Sequence, residues 1–153
     1  MAKDGKSARR DLDRVQYLLN RAHFLVTRLI EREIRRNGFG EHLKPGMGTV
    51  LHALFESDGR TISQVASQAR VAKSSVMNAA RSIEKAGLIV FEPDENDLRL
   101  RRMRLTPLGE SFRKSCLSLA LDIEEKVFAG FSDSERRQFV RLLGKLVDGL
   151  PTE

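Results

Sequence analysis

The sequence lacks the features that mark membrane and secreted proteins. No apolar run approaches the roughly 20 residues that are needed to span a bilayer. Residues 1–7 do not contain the apolar core of a signal peptide. Cys116 is the only cysteine, which excludes a disulfide within the chain. We therefore expect a cytoplasmic protein that has no membrane partner.

The sequence motifs of enzymes are also missing. The chain has no phosphate-cradling glycine loop, no nucleophile elbow and no Cys-x-x-Cys pair, so we expect neither an enzyme nor a cofactor. Glu41, His42 and His52 are weak candidates for a metal site, and we assign no metal. His23 and His52 lie near apolar stripes, so each is either a core residue or part of a ligand cavity. Cys116 is expected to be a packed, unreactive thiol.

The chain is rich in charged residues, and these are unevenly distributed along the sequence. Hydrophobic residues make up 41% and charged residues 31%, which is typical of a soluble globular protein. The net charge of +6 and the pI of about 9.9 favour a polyanionic partner. Basic residues outnumber acids by ten to five in residues 1–36 and by eight to five in residues 61–106, but not in residues 107–153. This pattern favours nucleic acid, and a generally basic solvated surface is the alternative.

Residues 61–106 have the strongest local pattern. Thr61, followed by Gln64, forms a capping box that begins a short helix. A turn at residues 70–72 leads into a longer helix over residues 73–86, which a glycine closes. A short positioning helix, followed by a longer helix with small, polar and basic exposed residues, is how many proteins enter the DNA major groove.

Two short strands are predicted next, over residues 88–91 and 98–105, on either side of a polar tip at residues 93–97. They would form a β wing. Residues 45–106 are therefore predicted to be a winged helix-turn-helix DNA-binding domain.

Long amphipathic helices flank this domain. The first is predicted over residues 8–36, and the next begins at Pro45. Two further helices begin at Pro107 and at a capping box on Ser132. The predicted order is α-α-α-α-β-β-α-α, a mainly α fold with a small β wing. The apolar positions of the outer helices are Leu12, Val15, Leu19, Ala22, Val26 and Leu29, then Leu117, Leu121, Phe128 and Phe131, and finally Phe139, Leu143, Leu146 and Leu150.

These outer helices carry more apolar surface than the winged domain can cover. Such an excess is usually buried against a second copy, so residues 8–36 and 107–150 are predicted to be a helical dimerisation region. A two-fold homodimer would place two recognition helices about 34 Å apart, on a pseudo-palindromic site in double-stranded DNA. The alternative is that the helices pack on each other within a monomer.

Four motifs, in their order and spacing, resemble the MarR family of bacterial transcription regulators. They are the helix-turn-helix sequence from Val65 to Val76, the exit Ile83-Glu-Lys-Ala-Gly-Leu-Ile, the wing motif Asp97-Leu-Arg99 and the helix start Leu105-Thr-Pro-Leu-Gly109. With the flanking helices, the resemblance covers nearly the whole chain. It implies a homodimeric winged-helix regulator, most often a repressor, that a small and often aromatic or phenolic effector releases from DNA.

The resemblance maps DNA contacts onto the recognition helix and the wing. The mapped positions are Lys73, Ser74, Ser75, Asn78 and Arg81 on the helix and Arg99 in the wing, with Arg101, Arg102 and Arg104 as candidates for the DNA backbone. Asparagine can bind adenine bidentately, and arginine or lysine can bind guanine or phosphate. Helix capping is the alternative for both serines, and a solvated β face is the alternative for the strand arginines. The opposite side of the helix, Val76, Ala79, Ala80 and Ile83, is predicted to face the core.

The turn of the helix-turn-helix departs from the family pattern. It has Arg70 where glycine is frequent, and Ala72 replaces the usual polar cap. We therefore expect the recognition helix to begin at Ser74.

The wing tip also departs from the pattern, with Asn96 and Leu98 where arginines are frequent. Asp94, Glu95 and Asp97 are expected to make the tip acidic, which repels phosphate. Minor-groove insertion then depends on Arg99, and Asp97 is expected to orient that side chain.

We therefore predict a homodimeric, sequence-specific regulator of transcription whose effector binds between the dimer helices and the winged domain. One alternative is an architectural or effector-independent DNA-binding protein with low sequence specificity. Another is a protein-interaction module that uses the winged helix without DNA. The sequence assigns no effector and no target gene, and it leaves repression or activation open.

Overall fold

The computed structural model describes the backbone of residues 4–151 and the side chains of residues 14–151. These residues form seven helices and one three-stranded antiparallel sheet with the order β1-β3-β2. The helices are α1 (Asp4–Arg36), α2 (Gly48–Glu56), α3 (Ile62–Ala69), α4 (Lys73–Lys85), α5 (Pro107–Ser111), α6 (Arg113–Val127) and α7 (Asp133–Gly149). The strands are β1 (Arg60–Thr61), β2 (Ile89–Pro93) and β3 (Arg101–Leu105). The mainly α fold with a small β wing agrees with the prediction.

The observed order differs from the predicted one in two places. β1 is only two residues long, too short for a sequence pattern, and it joins the wing by pairing with β3. The helix that begins at Pro107 is interrupted at Phe112, so it forms α5 and α6. Phe128 caps α6 and Phe131 lies beyond it, so the prediction that one helix carries both is wrong.

The connection between α1 and α2 contains a further correction. α1 ends where predicted, and Gly38 adopts the left-handed conformation (φ 77°) that closes it. The predicted helix start at Pro45 is wrong, because α2 begins at Gly48. Pro45 lies instead in a turn in which Met47 N donates a hydrogen bond to Lys44 O (3.3 Å). The Met47 side chain is buried and anchors this turn.

The core lies between α2, α3, α4 and the sheet. Every one of these helices and both long strands contribute to it, and its large, fully buried members include Leu54, Val65, Ile83, Ile89 and Met103. Burial of a side chain of this size contributes roughly 1.5–3 kcal/mol. The segment from α2 to β3 therefore holds most of the buried apolar surface that the structure describes.

The start of α5 is fixed by a very close approach to the end of α4. Thr106 Oγ1 accepts a hydrogen bond from Gly109 N (3.0 Å) and donates one to Gly87 O (2.7 Å), while Thr106 N donates to Leu88 O (3.0 Å). A Cβ atom added to Gly109 would lie 2.0 Å from Leu88 O. Position 109 therefore accepts only glycine in this arrangement.

The outer helices leave many apolar side chains uncovered. The exposed fraction is 55% at Val15 in α1 and 62% at Leu121 in α6, and no residue of α7 is buried. α7 packs on the preceding segment through an aromatic cluster of Phe128, Phe131 and Phe139, with ring centroids 5.3 to 5.8 Å apart. The side chain of Leu12, predicted to belong to the first stripe, lies outside the described side chains. Among the described residues, no helix is both long and apolar enough to cross a membrane.

Candidate DNA-binding interface

α3 begins at a complete capping box, as predicted. Thr61 Oγ1 accepts a hydrogen bond from Gln64 N (3.2 Å), and Gln64 Oε1 accepts one from Thr61 N (2.9 Å). The helix ends at Arg70, whose backbone is left-handed (φ 52°, ψ 47°). This conformation favours glycine and costs another residue about 1–2 kcal/mol. The Arg70 side chain pairs with Asp148 of α7.

α4 begins at Lys73, as in the predicted span of residues 73–86, and not at Ser74, the start that the missing polar cap suggested. Its N-cap is Ala72, which has no side-chain hydrogen bond to offer, and Ser75 N donates to Ala72 O (3.0 Å). Ser74 and Ser75 are the second and third residues of the helix. Neither hydroxyl is its N-cap, so the interpretation of these serines as capping residues is wrong.

One side of α4 is buried, and the other is exposed. Val76, Ala80 and Ile83 are buried and Ala79 is partly buried, as predicted. The exposed side carries all five of the helix positions mapped to DNA, which are Lys73, Ser74, Ser75, Asn78 and Arg81. A helix that presents small, polar and basic side chains along one exposed face can enter a major groove.

The wing is an antiparallel hairpin of β2 and β3 that ends with Pro93 opposite Arg101. The loop between the strands spans residues 94–100 and is longer than predicted, because Leu98 to Leu100 do not belong to β3. Asp94 N donates a hydrogen bond to Leu100 O (3.0 Å), which closes the loop at its base.

Asp94 is not part of an acidic tip, which corrects the prediction. Its side chain is buried, accepts hydrogen bonds from Asn96 N (2.8 Å) and Asp97 N (2.9 Å), and pairs with Arg102. These two backbone hydrogen bonds, followed by the bond from Arg102, hold the pKa of Asp94 below its usual value. The exposed acids of the tip are thus reduced to Glu95 and, in part, Asp97.

Arg99 and Arg101 are exposed cations of the wing. The Arg99 side chain is 94% exposed, and Asp97 Oδ1 lies 3.0 Å from Arg99 N and 3.5 Å from Arg99 Nε. Asp97 therefore orients Arg99, as expected. The Arg101 guanidinium lies 5.2 Å from the ring centroid of Phe91 and donates a hydrogen bond to Phe91 O (3.0 Å). Stacking on the ring restricts where this guanidinium can reach.

Arg102 and Arg104 are bound within the fold. Arg102 pairs with Asp94 and donates a hydrogen bond to Gly59 O (2.8 Å). Arg104 Nε lies 3.5 Å from a carboxylate oxygen of Glu92. Both arginines are only partly exposed, which argues against a solvated face and against a free contact to DNA.

A groove of about 360 Å³ separates α4 from the wing. Arg81 of α4 and Arg99 and Arg101 of the wing line it together, so three mapped cations face one space. Met77 also lines the groove and is half-buried. Sequence reasoning did not single out Met77, since an apolar residue beside a polar helix face carries no distinct signal.

Known proteins resemble this arrangement in sequence and in fold. Residues 48–100, from α2 to the wing tip, match the sequence profile of the MarR family. A Thauera aromatica protein assigned to transcriptional regulation of the hcr operon is 26% identical over 106 residues. This match covers 69% of this chain and 64% of the relative, which is less than two thirds of the relative's length.

Solved structures share the fold over most of the chain. A protein from Pseudomonas aeruginosa assigned as a transcriptional regulator has a TM-score of 0.78 and 24% identity, covering 88% of this chain and 97% of that one. The Bordetella bronchiseptica protein BpsR, whose DNA binding is regulated by 6-hydroxynicotinic acid, also has a TM-score of 0.78 and 24% identity, covering 89% and 94%. Residues 48–100 therefore match the MarR family, a family of transcription regulators, and the described chain has the fold of solved MarR-family structures.

The chain also has an apolar cavity of about 430 Å³ between α1, α2 and α6. Its walls are mostly apolar, with Ile30, Ile34, Leu51, Phe55, Leu119 and Ile123 among them. A few polar groups, Lys44, Thr49 and His52, also line it. An apolar cavity of this size with a few polar groups is typical of a small-molecule site.

The three histidines lie in different surroundings. Among the described residues, no three His, Cys, Asp or Glu side chains are grouped so as to hold a metal ion, and Glu41, His42 and His52 form no such group. His23 and His52 are both exposed, so neither is a core residue. His52 lines the cavity, and its Nε2 lies 3.4 Å from a carboxylate oxygen of Glu56.

Cys116 of α6 is partly buried and lines the same cavity. Burial raises the pKa of its thiol, which lowers the fraction of reactive thiolate at neutral pH. This environment agrees with the expectation of an unreactive thiol.

Sequence analysis missed the contacts that join the winged segment and α1 to the later helices. Glu33 of α1 is buried and accepts a hydrogen bond from Lys126 Nζ of α6 (2.6 Å), which lowers the pKa of Glu33. Arg113 of α6 donates a hydrogen bond to Phe55 O of α2, and its guanidinium lies 5.1 Å from the Phe55 ring centroid. The partners are 93 and 58 residues apart in the sequence, so no local pattern marks them.

Proposed function

We propose that this chain is a homodimeric, sequence-specific repressor that a small aromatic or phenolic effector releases from DNA. The observation that carries the proposal is that Arg81, on the exposed face of α4, lines one groove together with the wing cations Arg99 and Arg101. In this arrangement α4 reads base edges in the major groove while Arg99 enters the adjacent minor groove. The protein would act in the cytoplasm, on a pseudo-palindromic operator.

The roles that we propose follow from side-chain chemistry. Asn78 pairs bidentately with an adenine, while Lys73 and Arg81 bind guanine or phosphate. Ser74 and Ser75 contact phosphate near the start of α4, where backbone N–H groups also point outward. Arg101 contributes a phosphate contact behind Arg99. These seven residues constitute the proposed DNA-binding surface.

The uncovered helix faces support a homodimer. The apolar residues of α7 recur at helical spacing, with Phe139, Leu143, Leu146 and Leu150 along one side, and all four are exposed. Together with the exposed residues of α1 and α6, they form more apolar surface than a monomer in water normally leaves uncovered. A second copy with the same surfaces would bury them in a two-fold interface.

The apolar cavity supports a ligand-dependent mechanism. It lies between α2, which packs on the helix-turn-helix, and the outer helices α1 and α6. BpsR, which shares the fold, is regulated by an aromatic acid, and this relation favours an aromatic effector here. A ligand shifts the protein off DNA only if it binds more tightly to a form whose recognition helices do not match the operator.

The central experiment measures DNA reading. Duplexes are selected from a random pool with the wild-type protein, and affinity is then compared between the selected and scrambled sequences. Asn78→Ala should lose roughly 1–3 kcal/mol on the selected duplex and relax specificity at one base position. Lys85→Ala is the matched control, because Lys85 lies in the last turn of α4 and is expected to interact with the helix dipole. Equal loss on both duplexes would count against base reading by Asn78.

A second experiment separates the proposal from an effector-independent binder. Hydroxylated aromatic acids are titrated into the protein–operator complex, with Ala120→Leu as a variant that fills part of the cavity. Release by at least one compound, weakened in Ala120→Leu, supports the proposed effector site. If no compound changes the affinity and the protein barely distinguishes the selected duplex from random DNA, an architectural role is correct instead.

A further inference from the structure

The wing tip presents an apolar side chain that the proposed contacts do not use. Leu98 is 83% exposed, the largest exposed fraction among the large hydrophobic side chains in residues 14–151. It precedes Arg99, whose side chain is 94% exposed. Single exposed leucines are common on protein surfaces, so exposure alone assigns no role. The position of Leu98 beside the outermost cation of the wing does suggest one.

The loop that carries Leu98 is held by its own hydrogen bonds. The buried Asp94 accepts two backbone hydrogen bonds from Asn96 and Asp97, and Leu100 N donates to Asp97 O (2.9 Å). Together with the bond from Asp94 N to Leu100 O, these contacts fix both ends of the tip. Leu98 and Arg99 are therefore adjacent, exposed residues of one hydrogen-bonded turn.

We propose that Leu98 packs in the DNA minor groove beside Arg99 and selects against G·C pairs at the place of contact. This inference rests on the proposed DNA-binding function. Minor-groove binding proteins commonly combine a cation with an apolar side chain of this kind. Glu95 is an exposed acid next to the tip and disfavours a purely electrostatic contact with phosphate. Shape and apolar contact would then make the larger contribution of this loop to DNA binding.

The selectivity follows from the minor-groove edges of the base pairs. A·T and T·A pairs present only acceptors there, whereas a G·C pair adds the guanine N2 amino group, a donor. A leucine methyl group placed over that amino group excludes water and offers no acceptor, so the donor is buried without a partner. Over an A·T pair, the same methyl group meets no unpaired donor.

The test changes only the minor-groove edge of the DNA. Hydroxyl-radical footprinting on the selected duplex locates the pairs under the wing. Those pairs are then synthesised as A·T, as 2,6-diaminopurine·T, which adds the amino group, as G·C, or as inosine·C, which lacks it. The wild type should bind the two duplexes with the amino group about tenfold more weakly than the two without it.

Leu98→Ala is the decisive variant. It should bind the A·T duplex about tenfold more weakly per wing, because part of a leucine side chain is no longer buried, and it should show at most about a threefold penalty for the amino group. The salt dependence of binding should not change, since no charge is removed. Leu108→Ala is the matched control, because Leu108 is also exposed but lies in α5, at the other end of the hairpin from the tip.

Three results would separate the possible failures. If the wild type discriminates against the amino group and Leu98→Ala does so equally, while Arg99→Ala does not, the selectivity belongs to Arg99 and the inference is wrong. If Leu98→Ala binds every duplex like the wild type, the leucine does not touch DNA, and the inference is also wrong. If the wild type does not prefer the selected duplex over scrambled DNA, the proposed function fails and the inference fails with it.

Discussion

In the segment from α2 to β3, the large apolar side chains are buried within the chain, whereas in α1, α6 and α7 many of them face outward. Leu54, Ile83 and Met103 in the first region are completely buried, but Leu121 in α6 and Leu146 in α7 are 62% and 40% exposed. The two regions nevertheless have the same kind of sequence, with apolar residues at regular spacing. Amphipathic patterning alone therefore does not report whether a face is buried within the chain.

The two regions should therefore respond differently to substitutions. The winged segment is held by contacts inside one chain, so single substitutions there should act on folding. The outer helices contact it through pairs such as Arg113–Phe55 and Arg70–Asp148. The Glu33–Lys126 pair and the aromatic cluster around Phe139 join the outer helices to one another. Substitutions on their open faces should act on assembly.

The largest effect is expected for Gly109→Ala in the winged segment. The added Cβ would lie 2.0 Å from Leu88 O, so α5 or the end of α4 must move. We expect a loss of more than about 4 kcal/mol in the free energy of unfolding, measured by urea denaturation. The control is Gly130→Ala, where an added Cβ meets nothing within 4 Å and the change should stay within about 0.5 kcal/mol. Similar stabilities for both variants would show that the close approach at Gly109 is unimportant.

Leu146→Glu on the open face of α7 should leave the winged segment folded and weaken assembly. A charge in a buried dimer interface costs at least about 2 kcal/mol, so the dimer dissociation constant should rise on the order of 30-fold, measured by sedimentation equilibrium. Arg141→Glu, on the opposite side of the helix, is the control and should have little effect. A wild-type chain that sediments as a monomer would refute the homodimer, and so would a Leu146→Glu variant with unchanged dissociation.

The folding stability should depend on pH through Asp94 in the wing. Its pKa is lowered in the folded state, so its stabilising contribution is complete above the unfolded pKa of about 4 and is lost as the pH falls through the lower folded value. Asp94→Asn should be less stable than the wild type at pH 7, and the difference should shrink below pH 4 in denaturation experiments. Glu95→Gln, at the exposed neighbouring acid, should show no such change. A constant difference between Asp94→Asn and the wild type across this range would contradict the assignment.

The smallest effect is expected at the junction of the two regions, at Arg70. Glycine relieves the left-handed strain of about 1–2 kcal/mol, while the exposed ion pair with Asp148 contributes at most about 1 kcal/mol. Arg70→Gly should therefore be slightly more stable than the wild type in urea. Arg70→Ala loses the same ion pair and keeps the strain, so it should be less stable than Arg70→Gly. Equal stabilities of the glycine and alanine variants would show that the turn is not strained.

Sequence patterns predicted the parts of the fold that depend on neighbouring residues. The capping boxes at Thr61 and Ser132 are confirmed, because each is closed within four residues. The buried side of α4 follows from helical spacing and is confirmed as well. The predicted start of α2 at Pro45 is wrong. Pro45 is compatible with a first helical turn, but it lies in a separate turn before the helix, which the buried Met47 side chain anchors.

The candidate site was only partly predictable for the same reason. The polar and basic residues of α4 are marked by their position on a helix, and Arg99 by its motif. The role of Asp94 was not predictable from the sequence. Three acids in five residues indicate an acidic surface, and only the folded structure shows that one of them is buried. Arg102, too, is indistinguishable in sequence from Arg101, although one is bound inside the wing and the other stacks on Phe91.

The sequence by itself determined the match to the MarR family over residues 48–100, the helix-turn-helix and the exposed polar face of α4, because all of these depend on local order and spacing. Only the tertiary structure decided which wing charges stay exposed, where the cavity lies and how Leu98 is presented beside Arg99. Those features depend on contacts between segments far apart in the chain, such as the pairing of β3 with β1 and β2, and a linear pattern does not specify such contacts.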